Sequence, residues 1–179
     1  KTLSILRKRI NIVERLMSAN EWDKIEFDKI PSKAGLIYKN AFARRDIIAK
    51  RYEAFAKSAE TKVNAKTLFP YDVVAQAVGV NSSFCYRFPE LSDTDKAMIE
   101  KYWNNLPDYL NGNPCKMMCV VDTSGSMTGS KADAPLNVAI SLGMYCAERI
   151  GGPFKNHYIS FSSRPQFIRI EGVDFVDKV

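Results

Sequence analysis

The stretch CVVDTSGSM, residues 119 to 127, runs three apolar residues into one carboxylate, Asp122, and then places hydroxyls at alternate positions, Ser124 and Ser126. If the chain curls back before the next helix, both hydroxyls turn toward the point that the carboxylate faces. Gly125 supplies the backbone freedom for that curl. One carboxylate with two hydroxyls is an all-oxygen ligand set. It suits a hard divalent cation, Mg²⁺ first and Mn²⁺ or Ca²⁺ after it, and suits zinc poorly, since zinc favours nitrogen and sulfur. A single carboxylate leaves a divalent ion under-neutralised, so the open coordination positions would draw a further acidic group, such as one on a partner.

Other chemistry fits the chain less well. GSMTGSK, 125 to 131, has three residues between its glycines and Ser130 ahead of Lys131, whereas a phosphate-binding P-loop needs four and a Lys directly after the second glycine. A haloacid-dehalogenase phosphatase needs a second Asp two residues after the first, where this chain has Ser124. The one histidine, His157, falls in a predicted strand and reads as structural, which leaves Ser124 and Ser126 without a base for nucleophilic work. Cys115 and Cys119 bracket a strand start with no Cys or His nearby. The expectation is a binding protein, not an enzyme. A blander reading also stands: Ser126 or Thr128 could simply cap a helix.

The loop needs a strand before it and a helix after it, and the sequence supplies both. KMMCVV is a continuous apolar run, as in a strand buried on both faces. APLNVAISLGMYCAERI reads as a helix with Leu136, Ala139, Ile140, Leu142, Gly143 and Cys146 on its apolar stripe. NHYISFSS and PQFIRI are strands joined by a tight SSRP link. Strand, helix, strand and hairpin return open an α/β sheet, and ligands in such sheets collect at the carboxyl ends of strands, where Asp122 falls. Three strands and one helix leave a face and an edge uncovered, so residues beyond this chain are expected to complete the domain.

PDYLNGNP, 107 to 114, is a dense turn cluster and marks the expected boundary between a helical part, 1–110, and the α/β part, 111–179. The helical part shows Leu3, Leu6, Ile10, Val13 and Met17 at spacings of three and four. A second pattern covers roughly 33–58, with Ile37, Ala41, Ile48, Tyr52 and Phe55 inward, preceded by Pro31 and Ser32 as start signals. A third helix opens near Pro70 and closes at Gly79. A fourth starts in LSDTDKAMIEKYWNNL, where Ser92 and Asp95 have capping-box spacing with Asp in place of the usual Glu. Four helices on short loops suit a bundle or α-solenoid.

Composition bounds the function classes. The chain has 179 residues, 46% hydrophobic and 26% charged, as in an ordinary soluble protein. No run approaches the roughly 20 apolar residues of a membrane span, and KTLSILRKRI is too charged for an export signal. Four cysteines, Cys85, Cys115, Cys119 and Cys146, are too sparse for a disulfide scaffold and read as small buried residues in a reducing compartment, so a cytoplasmic location is expected. The net charge of +6 is skewed: residues 1–69 carry 16 Lys+Arg against 8 Asp+Glu, a balance of +8, while 70–110 carry 3 against 6 and 111–179 carry 7 against 6. Such a skew points to a polyanionic partner or to a solvated helix surface.

DTSGSM, between its apolar strand and its helix, resembles the Asp-x-Ser-x-Ser signature of the von Willebrand factor A (vWA) fold, a Rossmann-like α/β domain. The resemblance implies that Asp122, Ser124 and Ser126 form the first part of a metal-ion-dependent adhesion site, as ligands direct or through water. Such sites also take a Thr and a second Asp from later loops, which this chain does not reach. A basic helical module followed by a vWA domain looks like the layout of TROVE-type proteins, the Ro autoantigen family, and of an uncharacterised group of bacterial, viral and plant proteins. The likeness runs through KRINIVERLMSANEWDKIEFDKIPSKAG, YKNAFARRD, NAKTLFPYDVV and ISFSSRPQFIRIEG. It implies the C-terminal part of a helical ring that binds structured small RNAs, closed by the vWA domain. RNA would be held by cations on phosphates, with Arg7, Lys8, Arg9, Lys39, Arg44, Arg45, Lys50 and Arg51 as candidates, and by aromatics stacking unpaired bases. Tyr38, Phe42 and Tyr52 lie in the same segment, though Phe42 and Tyr52 have the spacing of core residues. The expected function is therefore RNA binding through the basic helical module; the alternative is a metal-dependent protein-interaction module whose site grips an acidic side chain of a partner.

Overall fold

The computed structural model describes residues 2–10, 12–78, 90–111, 117–129 and 134–179. The chain combines a helical region with a small mixed sheet and packs as two compact units, Lys1–Thr67 and Leu68–Val179.

The first unit contains α1 (Thr2–Arg9), α2 (Val13–Ser18), two 3-10 turns (Trp22–Lys24 and Phe27–Lys29), α3 (Ser32–Arg44) and α4 (Asp46–Lys57). Its core is aromatic. The ring of Phe27 lies 5.6 Å from Phe42, 5.2 Å from Tyr52 and 5.4 Å from Phe55, and Phe42 lies 5.6 Å from Tyr52. Tilted and edge-on pairs of this kind add about 0.5–1.5 kcal/mol each beyond the area they bury. Ile48, Ile25, Leu16 and Val13 fill in around them.

Two expectations fail in this unit. The pattern over 33–58 is not one helix: Arg45 adopts an extended conformation (φ −90°, ψ 107°) and a new helix begins at Asp46. That break shifts the helical phase, so Leu36 turns inward in α3 and Ile37 outward, 69% exposed. Likewise Leu3, Leu6 and Ile10 do not share the buried face of Val13; all three are exposed, because α1 ends before α2 starts.

The second unit contains α5 (Pro70–Val78), α6 (Asp93–Asn104), β1 (Cys119–Asp122), α7 (Pro135–Arg149), β2 (His157–Phe161), β3 (Gln166–Arg169) and α8 (Phe175–Lys178). α5 opens on Pro70, whose fixed φ suits a first helical position, and the Phe69 amide donates to Asp72 Oδ2 at 2.9 Å. At α6 the capping box is complete: the Asp95 amide donates to Ser92 Oγ at 3.1 Å and the Ser92 amide to Asp95 Oδ2 at 3.3 Å. Asp thus does the reciprocal work that Glu more often does.

The sheet order is β1-β2-β3, β1 parallel to β2 and β2 antiparallel to β3. Helix α7 is the crossover between the parallel strands, and Gly143 sets its distance from β1. A Cβ on Gly143 would stand 2.3 Å from Val121 Cγ2, so only a residue without a side chain allows this approach. Val121 is accordingly 3% exposed. Its neighbour Val120 is 63% exposed, so among the described residues β1 is buried on one face only, not on both as its apolar run suggests. The face of α7 also differs from the expected stripe. Asn137, Ser141, Met144, Tyr145 and Ala147 are buried beside Gly143, whereas Leu142 is exposed.

Trp103 ties α6 to α7 and α8. Its Nε1 donates to Glu148 Oε2 at 2.6 Å, and its ring stacks on Phe175 at 4.4 Å. The Arg149 guanidinium lies 5.4 Å from the Trp103 ring and 4.0 Å from that of Tyr145, and donates to the Trp103 carbonyl at 3.1 Å.

Candidate metal centre

Asp122 is the last residue of β1, level with Phe161 at the carboxyl end of β2. The ladder continues one residue further, where the Thr123 amide donates to the Phe161 carbonyl at 3.0 Å, and this anchors the loop that follows. The chain then turns on the carboxylate itself: the Ser124 amide donates to Asp122 Oδ1 at 2.9 Å, the local bond by which Asp favours turns. Gly125–Met127 forms a 3-10 turn, closed by Thr128 Oγ1 donating to the Gly125 carbonyl at 2.7 Å.

This curl brings the Ser124 and Ser126 hydroxyls to 3.2 Å from each other. The Ser124 hydroxyl, followed by its amide, holds the Asp122 carboxyl below its ordinary pKa, so the carboxylate is ionised at neutral pH. All three predicted oxygen donors are therefore linked through Ser124. The helix-cap reading does not hold: Ser124 makes no side-chain cap bond to the 3-10 turn, and α7 begins at Pro135, with Ala134 in the capping position. Thr128 closes the loop instead.

An ionised carboxylate with two converging hydroxyls fits a hard divalent cation by donor chemistry, and Asp122, Ser124 and Ser126 would hold it. Bound there, such a cation would supply positive charge and open coordination positions for an anionic group. Among the described residues, no three His, Cys, Asp or Glu side chains gather into a metal site of another kind.

The basic candidates separate by what they touch. Arg51 is exposed but already engaged: Nη1 donates to the Asp23 carbonyl at 2.7 Å, Nη2 to the Ile25 carbonyl at 2.8 Å, and its guanidinium lies 5.6 Å from the Phe27 ring. Arg45 lies 4.9 Å from the Trp22 ring. Lys39 is half-buried, Arg9, Arg44 and Lys50 are exposed, and the side chains of Arg7 and Lys8 lie outside the described residues. Phe42 and Tyr52 are 1% and 2% exposed and belong to the core, which removes them as stacking platforms. Tyr38 is half-buried against Phe42, with a phenol held above its ordinary pKa by burial and by Glu14.

Sequence spacing missed one pair of side chains. Cys119 of β1 and Cys146 of α7 sit with their thiols in hydrogen-bonding reach. Cys85 and Cys115, the other two cysteines, lie outside the described residues. His157, read as structural, stacks on Phe167 with ring centroids 4.9 Å apart and its Nδ1 2.7 Å from the Lys155 carbonyl.

The chain is thus a helical region followed by a small α/β sheet with an oxygen-donor loop at a strand end, and no helix among its described residues is long and apolar enough to cross a membrane. It belongs to the family described as Domain of unknown function (DUF2828), whose profile matches residues 1–113. A second profile, Domain of unknown function (DUF7788), matches residues 116–179. The chain is 31% identical over 195 residues to "Uncharacterized protein L728" of Acanthamoeba polyphaga mimivirus. That alignment covers 100% of this chain and 31% of the relative, so the chain spans about a third of the relative's length. No solved structure matches.

Proposed function

We propose that this chain is part of a non-enzymatic binding protein whose α/β portion, 111–179, is the opening of a vWA-like domain. Asp122, Ser124 and Ser126 hold a divalent cation, Mg²⁺ foremost, whose open positions take an acidic group from a protein partner. The observation that supports this reading is the turn at the carboxyl end of a parallel strand in which the Ser124 amide bonds the ionised Asp122 and the Ser124 and Ser126 hydroxyls meet. The test is Mn²⁺ binding followed by electron paramagnetic resonance, with Mg²⁺ as competitor. Binding is expected in the native chain, weakened in Ser126→Ala and lost in Asp122→Ala. Equal Mn²⁺ binding by the native and Asp122→Ala chains would overturn the assignment.

A second reading rests on charge. Residues 1–69 carry 16 Lys+Arg against 8 Asp+Glu, and Arg9, Arg44 and Lys50 are exposed. On this reading the helical portion is Ro-like and binds structured small RNA in the cytoplasm. RNA affinity would fall log-linearly with salt, with a slope of about 0.7–0.9 per phosphate contact. Arg44→Glu would lower it, while Asp122→Ala would leave it unchanged. A partner complex abolished by EDTA with a mild salt dependence supports the first reading; a steep salt slope indifferent to EDTA supports the second.

A further inference from the structure

We propose that Cys119 and Cys146 form a reversible dithiol–disulfide pair that joins β1 to α7. The pair lies on one strand–helix crossing. Cys119 and Val121 are two residues apart and so share a face of β1. Gly143 and Cys146 are three residues apart and so share a face of α7. The missing side chain at Gly143 lets the helix settle on Val121, and the same approach brings Cys146 alongside Cys119. Both thiols are half-buried, neither sealed in the core nor fully exposed.

The two sulfurs are unequal. The Cys119 thiol donates to Cys146, and the Arg149 guanidinium adds its positive charge, which together bring the Cys146 thiol down to about 7 against the opposing effect of burial. Cys119 is pushed up, by that same hydrogen bond first and by burial next. Cys146 is thus the attacking thiolate at neutral pH. With a low-molecular-weight disulfide such as glutathione disulfide as oxidant, the Cys146 thiolate attacks one of its sulfurs and expels a glutathione thiolate. This leaves a mixed disulfide on Cys146. With the charge on Cys146 gone, Cys119 loses the interactions that held its proton, releases that proton to solvent and attacks the Cys146 sulfur. A second glutathione thiolate leaves. The protein has given up two electrons and two protons and the oxidant is reduced to two thiols. The bond closes the loop from 119 to 146, which contains Asp122, Ser124 and Ser126.

The test is equilibration of the full chain in glutathione redox buffers, followed by intact mass and peptide mapping under non-reducing conditions. The expected result is loss of two hydrogens and a crosslinked peptide pair containing Cys119 and Cys146, reversed by reduced glutathione. In Cys119→Ser the mixed disulfide accumulates on Cys146. In Cys146→Ser the remaining Cys119 reacts about tenfold more slowly at neutral pH. A native chain that keeps its circular dichroism and forms no 119–146 crosslink in oxidised buffer would overturn the proposal. So would a crosslink that instead joins Cys85 or Cys115 to either thiol. The crosslink is read without metal or RNA, so its outcome is independent of the proposed binding function.

Discussion

Gly143→Ala is the most direct probe of how β1 is held beneath α7, because the sign of its effect is diagnostic. At a solvent-facing helix position, Ala replaces Gly with a gain of about 0.8–1 kcal/mol. Here the added Cβ would lie 2.3 Å from Val121 Cγ2, with Val121 Cβ at 3.7 Å and Cγ1 at 3.8 Å. Carbon atoms pack at about 3.5–4.0 Å, so the new methyl is more than about 1 Å too close to a side chain that is itself 3% exposed. Val is β-branched and stiff at χ1, so it cannot swing aside as a long side chain would. Overpacking of this kind costs about 1–3 kcal/mol. Set against the propensity gain, the net is a loss of roughly 0–2 kcal/mol in place of the gain of a free helix position. Urea unfolding in a Trp22→Phe background, where Trp103 is the one remaining tryptophan, reads the second unit by fluorescence. Val121→Ala should partly rescue the variant, since the space it vacates accommodates the new methyl, and the double mutant should depart from additivity by about 1 kcal/mol or more. A Gly143→Ala chain that gains about 1 kcal/mol, additive with Val121→Ala within about 0.5 kcal/mol, would refute the close crossing.

Further outcomes follow from single contacts. Ser92→Ala removes the acceptor for the Asp95 amide and should cost about 1 kcal/mol in thermal or urea unfolding. Arg51→Lys loses the planar fork that reaches the Asp23 and Ile25 carbonyls together and should cost about 0.5–1.5 kcal/mol. Its effect on the salt slope of any RNA binding should be nil, because Lys keeps the positive charge. The Asp122 carboxyl should titrate by NMR below the ordinary Asp range and move upward in Ser124→Ala, since the Ser124 hydroxyl is the first cause of the depression. A carboxyl whose folded pKa is lowered stabilises the fold above its unfolded pKa, and that contribution disappears as pH falls through the folded value. An Asp122 titration unmoved by Ser124→Ala would show that the Ser124 hydroxyl does not hold the carboxylate.

Short-range chemistry was readable in the residues themselves. Ser92 and Asp95 announce a capping box because both of its bonds span three residues. The hairpin of β2 and β3, the crossover helix and the turn on Asp122 likewise depend on neighbours within a few positions. The proximity of Asp122, Ser124 and Ser126 was visible for the same reason: they lie within five residues of chain. The direction in which an apolar stripe points was not. Periodicity shows that a helix has a face, but the partner chooses which face is buried, and a one-residue break such as that at Arg45 resets the phase. Leu3, Leu6, Ile10, Ile37 and Leu142 are therefore exposed where spacing placed them inward, while Asn137 and Ser141 are buried. The cations followed the same rule. Arg51 looks like any surface arginine until folding brings it to two carbonyls more than twenty residues earlier in the chain. Cys119 and Cys146 meet only because Gly143 lets a helix settle against Val121, a contact between distant positions that no local pattern encodes.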